Sequence, residues 1–220
     1  MTLPLEVLPD AEGAARRVAA VVAERARESV EARGAFTVAV SRDSRGTMLR
    51  ALWDEDVPWE QVTIFQVDER VAPPGHADRN LVQLLAVLPD EARPDIRPMP
   101  VDDPDLDRAA ARYAAELPEA LDLVHLGLGA DGHTASLLPR DPVLEAAGRL
   151  VAVTGESEGW RRMTLTYPAL AAAREIVWLV TGEDKREVLA KLLAGDGSIP
   201  AARVENENQL VVADEAAHTP

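Results

Sequence analysis

Short runs of consecutive apolar residues alternate along this chain with longer stretches in which apolar positions recur every three or four residues. Within residues 11–33, Val18, Val21, Val22 and Ala26 fall at helical spacing, and Gly34 supplies a C-terminal stop. Residues 35–40 (AFTVAV), 62–67 (VTIFQV), 121–128 (LDLVHLGL), 149–153 and 175–181 (EIVWLVT) are compact apolar segments of strand type. Between them, residues 44–53, 80–87, 106–117 and 184–193 read as helices, the third with Asp102, Asp103 or Asp105 near its start. Residues 209–212 are expected as a final edge strand.

Apolar strands separated by amphipathic helices predict an α/β fold with a parallel sheet covered on both faces. Ligands of such sheets bind where strands end and loops begin. The chemistry is therefore expected just after Val40, Val67, Leu128 and Thr181.

Composition narrows the function classes. The chain has 220 residues, which fits one domain spanning residues 1–220. It carries 23 Lys and Arg against 38 Asp and Glu, a net charge of −15. That balance opposes nucleic-acid binding and docking on anionic membranes, both of which need a basic face. No Cys is present, so disulfides, zinc–thiolate sites and thiol catalysis are excluded. The N-terminal segment lacks a basic region followed by an apolar run, and no stretch of about 18 apolar residues occurs. The expected location is the cytoplasm. No internal repeat stands out, and the loop-like patches at residues 72–77, 93–104 and 195–198 have the length of ordinary connections.

The unusual residues sit at the expected strand ends. After the second strand comes Asp68-Glu69-Arg70. Its guanidinium is suited to gripping a carboxylate or phosphate through paired hydrogen bonds, although a solvated loop with a local Asp–Arg pair explains the same spacing. After the next central strand comes Gly127-Leu128-Gly129-Ala130-Asp131-Gly132-His133-Thr134. Glycines let backbone approach a ligand closely, and a histidine, expected here at a helix N-terminus, is suited to proton transfer near neutral pH. Asp131 either orients that imidazole or caps the turn. His125 lies inside an apolar strand and reads as a core histidine, while His76 and His218 fall in loop-like or terminal context. Arg161-Arg162 is either a phosphate clamp or a solvated edge. Lys185 opens a helix, where a cation opposes the helix dipole. No metal-ligand array is visible, and the formal G-x-G-x-x-G spacing of Gly127, Gly129 and Gly132 is a weak dinucleotide signal because of the Asp-Gly-His that follows.

Taken in order, these residues form a recognisable string. Asp68-Glu69-Arg70-Val71-x-Pro73-Pro74 is followed by Asn80, then Asp122-Leu123-Val124, then Gly127-x-Gly129-x-Asp131-Gly132-His133-Thr134-Ala135-Ser136-Leu137-x-Pro139. Arg162-x-Thr164-Leu165-Thr166, Gly182-x-x-Lys185 and Ile199-Pro200-Ala201 complete it. The string resembles the 6-phosphogluconolactonase family over residues 35–204. The resemblance implies a three-layer α/β/α sandwich with a mostly parallel, Rossmann-like sheet, shared with glucosamine-6-phosphate deaminases and ribose-5-phosphate isomerases. It implies a metal-independent hydrolase of the oxidative pentose phosphate pathway, without a cofactor, that opens 6-phospho-D-glucono-1,5-lactone to 6-phospho-D-gluconate. His133 would be the general base, with Asp131 and Arg70 also placed in the catalytic set. Arg70 and Lys185 would neutralise the anionic substrate, Arg162 would hold its phosphate, and Asp68 would orient Arg70 or the sugar hydroxyls. Ser41, Arg42, Asn80 and Gly129 complete the implied substrate contacts. The implied partner is a small sugar-phosphate lactone, bound by a monomer or small homo-oligomer.

One departure bears on function. Where the family carries a Ser/Thr-Gly-Gly loop that cradles the phosphate, this chain has Ser41-Arg42-Asp43-Ser44-Arg45-Gly46-Thr47. Arg and Asp resist the positive φ that glycine adopts, at about 1–2 kcal/mol each. Asp43 repels a phosphate, while Arg42 or Arg45 could offset that charge. An impaired lactonase paralogue, or a binding protein without turnover, is therefore a competing expectation. An aminosugar-phosphate deaminase or isomerase is another, but that family continues with Asn and Glu before the proline, where this chain has Ser136-Leu137-Leu138-Pro139.

Overall fold

Seven parallel strands form the central sheet of the computed structural model, which describes residues 3–42, 47–88 and 92–218. In chain order the strands are β1 (Leu5–Leu8), β2 (Phe36–Val40), β3 (Val62–Gln66), β4 (Asp68–Arg70), β5 (Asp95–Arg97), β6 (Leu123–Gly127), β7 (Val151–Val153), β8 (Arg162–Leu165), β9 (Ile176–Val180) and β10 (Gln209–Asp214). The helices are α1 (Ala11–Arg33), α2 (Thr47–Trp53), α3 (Asn80–Val87), α4 (Leu106–Glu116), α5 (Tyr167–Ala171), α6 (Arg186–Leu193) and α7 (Glu215–His218). The large sheet has the order β1-β10-β9-β6-β2-β3-β5. A second, antiparallel sheet has the order β4-β8-β7.

The strands are continuously apolar because both faces are covered. Phe36, Val38 and Val40 of β2 point into a core with α1, α2 and Leu84 of α3, while Ala39 points into the opposite core. In β9, Ile176, Trp178 and Val180 face one core and Val177 the other. The second core is closed by α4, α5, α6 and the small sheet, whose Val151, Ala152, Met163 and Leu165 are buried in it. Trp178 is fully buried and satisfies its indole N–H on Gln209 Oε1 at 2.9 Å, so a polar residue in β10 lets the largest side chain enter the core. The small-residue face of α1 (Ala14, Ala15, Ala19, Ala23 and Ala26) brings that helix close to the sheet. Asp10 caps its start by accepting from Gly13 N at 2.7 Å.

Three expectations need correction. The segment starting at Gln209 is not an edge strand. It runs to Asp214 and lies between β9 and β1, paired in parallel with both. The edge is β1, a four-residue strand flanked by Pro4 and Pro9 and too short to show an alternating pattern. Second, His133 does not begin a helix. Gly132 and Ala135 both have positive φ, and Thr134 and Leu137 form an isolated antiparallel bridge, so the chain makes a tight turn. Third, Asp68-Glu69-Arg70 is more than a charged strand end: it is itself β4, paired with β8. The first part of the helix expected over residues 44–53 lies outside the described residues, and α2 accounts for the remainder.

The topology positions the site. From β2 the chain moves outward through β3 and β5, then returns to β6 on the other side of β2 and moves outward through β9 and β10. The loops after β2 and β6 therefore diverge from neighbouring strands and leave a crevice at their C-terminal ends, as expected where an open parallel sheet reverses its strand order.

Candidate active site

A cleft of about 400 Å³ opens at that crevice. Ser41 and Arg42 line it from the end of β2, Asp68 and Arg70 from β4, and Asn80 from the start of α3. Gly129 and His133 come from the turn after β6, Arg162 from β8, and Lys185 from the turn that leads into α6. The structure thus gathers nine of the ten site residues expected from the sequence. The tenth, Asp131, meets the cleft through His133.

The turn after β6 holds the histidine firmly. Thr134 Oγ1 donates to Gly127 O at 2.9 Å, Gly129 N to His133 O at 2.8 Å, and Ala201 N to Gly132 O at 2.9 Å. Asp131 Oδ1 accepts from His133 N at 3.1 Å and lies 2.5 Å from His133 Nδ1. Asp131 therefore does both things left open by the sequence: it shapes the turn and engages the imidazole. Burial alone would raise the Asp131 carboxyl, but the charge and hydrogen bonds of His133 more than offset it and hold it below its ordinary value. Nδ1 is occupied, which leaves Nε2 as the ring nitrogen outside this pair.

Two glycines make this geometry possible. A Cβ at Gly129 would sit 2.2 Å from His133 Nδ1 and 2.8 Å from Asp131 Oδ1. Gly132 has φ +82, and a Cβ there would meet Ile199 Cβ at 2.5 Å. Replacing Gly132 with Ala combines left-handed strain with a backbone-proximal clash. A stability loss of about 2–4 kcal/mol is expected, readable as a lower denaturant midpoint with an unchanged slope.

The opposite wall is cationic. Arg70 and Arg162 are register partners across β4 and β8. Burial, then the charges of Arg162 and Arg42, push the Arg70 guanidinium below its ordinary value in spite of Asp68 and Asp78. Arg70 Nη1 donates to two neutral oxygens, Asp78 O at 3.0 Å and Asn80 Oδ1 at 3.2 Å. The Arg162 side chain is about 6% exposed and pairs with Glu158 at 2.6 Å, while its buried Nε has no hydrogen-bond partner among the described residues. Lys185 Nζ lies 2.8 Å from Asp184. The charges of Arg42, Arg70 and Arg162 are thus gathered on this wall, and guanidinium groups so placed suit an anion through paired hydrogen bonds.

A buried carboxylate that the sequence reading left without a role supports this wall. Glu69 is fully buried. Its Oε1 accepts from Arg70 N and Asn80 N, both at 2.7 Å, and its Oε2 accepts from Leu81 N at 2.8 Å and Gln66 Nε2 at 2.9 Å. Four donors, two of them at the start of α3, offset the cost of burying this charge. Asn80 Nδ2 in turn donates to Asp68 O and Oδ1, and Ser136 Oγ to Asp68 Oδ2 at 2.5 Å. Asp68 is thereby oriented by Asn80 and Ser136, without a direct hydrogen bond to Arg70. His125, expected as a core residue, is about 1% exposed and also forms part of the cleft floor. Its alternation in β6 offers no signal for that. Asp43, Ser44, Arg45 and Gly46, on which the question of the rebuilt loop turns, lie outside the described residues. Among the described residues no group of three or more His, Cys, Asp or Glu side chains is placed to hold a metal ion, and no helix is long and apolar enough to cross a membrane.

The fold and cleft are those of an open parallel α/β protein with cations at its crevice, and comparison with known proteins gives the class. Residues 9–212 match the family of glucosamine-6-phosphate isomerases/6-phosphogluconolactonase, and the chain belongs to that family. It is 33% identical to a 6-phosphogluconolactonase of Synechocystis over 96% of this chain and 95% of that protein. The rat 6-phosphogluconolactonase is 36% identical over 86% of this chain and 81% of its own length. The crystal structure of a 6-phosphogluconolactonase from Thermotoga maritima superposes with a TM-score of 0.85 at 24% identity, covering 96% of this chain and 99% of that one. A monomeric glucosamine-6-phosphate deaminase superposes with a TM-score of 0.84 at 15% identity, covering 98% of each chain. The shared fold therefore does not separate the two activities, and the site residues must.

Proposed function

We propose that this chain hydrolyses 6-phospho-D-glucono-1,5-lactone to 6-phospho-D-gluconate, with residues 1–220 acting as one domain in the cytoplasm. The observation that carries this reading is a histidine with Nδ1 engaged by a carboxylate, set across a small cleft from a group of guanidinium cations. Asp131 holds His133 in the tautomer with the proton on Nδ1 and stabilises the imidazolium that forms later. Nε2 removes a proton from water, and the water oxygen attacks the lactone carbonyl carbon. The tetrahedral oxyanion collapses with cleavage of the bond to the ring oxygen. His133 returns its proton to that oxygen, which leaves as a hydroxyl. Arg42, Arg70, Arg162 and Lys185 hold the phosphate, with Ser41 and Gly129 beside it. Asp68, oriented by Asn80 and Ser136, holds the sugar hydroxyls.

What disfavours the deaminase is the chain after the histidine. Ser136 and Leu137 are fully buried and carry no carboxylate of their own for the proton shuttle of ring opening, and Ser136 instead donates to Asp68. The direct test is acid release from the phosphorylated lactone, followed against its spontaneous hydrolysis. Acceleration at micromolar protein is expected. No acceleration overturns the proposal, and binding of 6-phosphogluconate without turnover would replace it with a sugar-phosphate-binding role.

A further inference from the structure

The only carboxylate that touches Arg162 among the described residues comes from an unexpected place. Ser157, Glu158, Gly159 and Trp160 form a two-residue hairpin: Ser157 N donates to Trp160 O at 2.9 Å and Trp160 N to Ser157 O at 3.1 Å. Glu158 has φ +52 and Gly159 φ +79. Positive φ at both central positions is the signature of the primed turns that suit hairpins, where Asn-Gly is the preferred pair and a glutamate is costly. This glutamate nevertheless occupies the strained position, and its carboxylate reaches Arg162 Nη2 at 2.6 Å. The pair is lopsided. The arginine side chain is about 6% exposed and lines the cleft, whereas Glu158 is about 75% exposed. The tip itself is anchored elsewhere: Trp160 Nε1 donates to Asp78 Oδ2 at 3.1 Å, and Asp78 O accepts from Arg70.

We propose that Glu158 is a displaceable internal counter-ion of Arg162, seated where a ligand's phosphate would bind and leaving when an anion arrives. This deepens the proposed function, since it rests on the cleft taking a phosphorylated ligand. A buried guanidinium beside a second one, that of Arg70, needs a negative charge before a ligand supplies it. An exposed side chain supplies it at little cost, because its own hydration is mostly kept. Exchange needs only rotation of the Glu158 side chain, the backbone of the tip being fixed through Trp160. The consequence is selective. A dianionic phosphate can outcompete one half-solvated carboxylate, while a neutral sugar cannot, so Glu158 keeps the arginine closed to unphosphorylated analogues.

The test is equilibrium binding of inorganic phosphate and of 6-phosphogluconate to the full chain, by calorimetry, in the wild type and in Glu158→Asn. The replacement creates an Asn-Gly turn, which favours the same hairpin, so the fold is retained. Glu158→Gly is the second variant, because glycine also accepts the positive φ. Loss of the competing carboxylate is expected to tighten both ligands about 3- to 10-fold at low ionic strength, with the gain shrinking as salt is added. Unchanged or weaker binding in both variants overturns the proposal and makes Glu158 a positioning residue for Arg162 or a bystander. If the wild type binds neither anion at millimolar concentration, the reading of the cleft itself falls. If the wild type binds and the variants do not bind more tightly, only the role of Glu158 falls.

Discussion

Replacing His133 with Asn is expected to lower kcat for the phosphorylated lactone by about 10²–10⁴-fold, the range a single general base contributes. Asn is close in size to the inner part of the imidazole, its Nδ2 can still donate to Asp131 Oδ1, and the backbone bonds of the turn are unchanged, so the loop fold is expected to persist. Binding of 6-phosphogluconate should change little, because the anion is held by the arginine wall across the cleft. Kinetics and calorimetry on the same preparation check both halves. A variant that keeps most of its kcat would show that His133 is not the base. A variant that loses binding and rate together would show that it acts by shaping the cleft. Spontaneous lactone hydrolysis sets the floor of the assay, so the comparison belongs at the lowest pH and temperature at which the wild type is clearly faster.

The second large effect is expected from a residue with no reactive group. Gly129→Ala places a methyl 2.2 Å from His133 Nδ1 and 2.8 Å from Asp131 Oδ1, which is the space the pair now occupies. The imidazole must rotate away from Asp131, so a kcat loss on the order of 10²-fold is expected from misplacement alone. The three atoms nearest that methyl all belong to these two side chains, and no positive φ is involved. Global stability should therefore fall by no more than about 1 kcal/mol, unlike Gly132→Ala. The discriminating measurement is a double mutant with Asp131→Asn. If Gly129→Ala acts only by breaking the His133–Asp131 pair, the two losses will be far from additive.

Much of this site could be read from the chain because the rule that locates it is a rule of backbone topology. Apolar runs ending at Val40, Val67, Leu128 and Thr181 predicted where a parallel sheet would open, and Ser41, Asp68, Gly129, His133 and Lys185 lie within a few residues of those ends. Helix limits were readable from apolar spacing: α1 runs from Ala11 to Arg33 and stops at Gly34 as expected, and α3 runs from Asn80 to Val87. Features decided by distant partners were not. The charges of Asp68-Glu69-Arg70 concealed a strand, because Glu69 is neutralised by donors from α3 and Gln66 that no local pattern announces. The turn at His133 depended on Ile199 and Ala201, which lie more than 60 residues away in the chain and abut Gly132. Glu158 left no signal at all, since a Glu-Gly pair is common and only the fold places it against Arg162.

The place of β10 has a consequence for how the molecule is made. This strand sits inside the sheet, with β9 on one side and β1 on the other, and its register joins Leu5 to Val211. Leu5 and Val211 must therefore meet across about 200 intervening residues before β1 gains its sheet partner. Among the described residues β1 pairs with no other strand of the sheet, so it stays unpaired until β10 docks. Contacts of such long sequence separation are slow to form. Until they do, β9 presents an open apolar edge, so the partly folded chain without β10 is the form most exposed to aggregation.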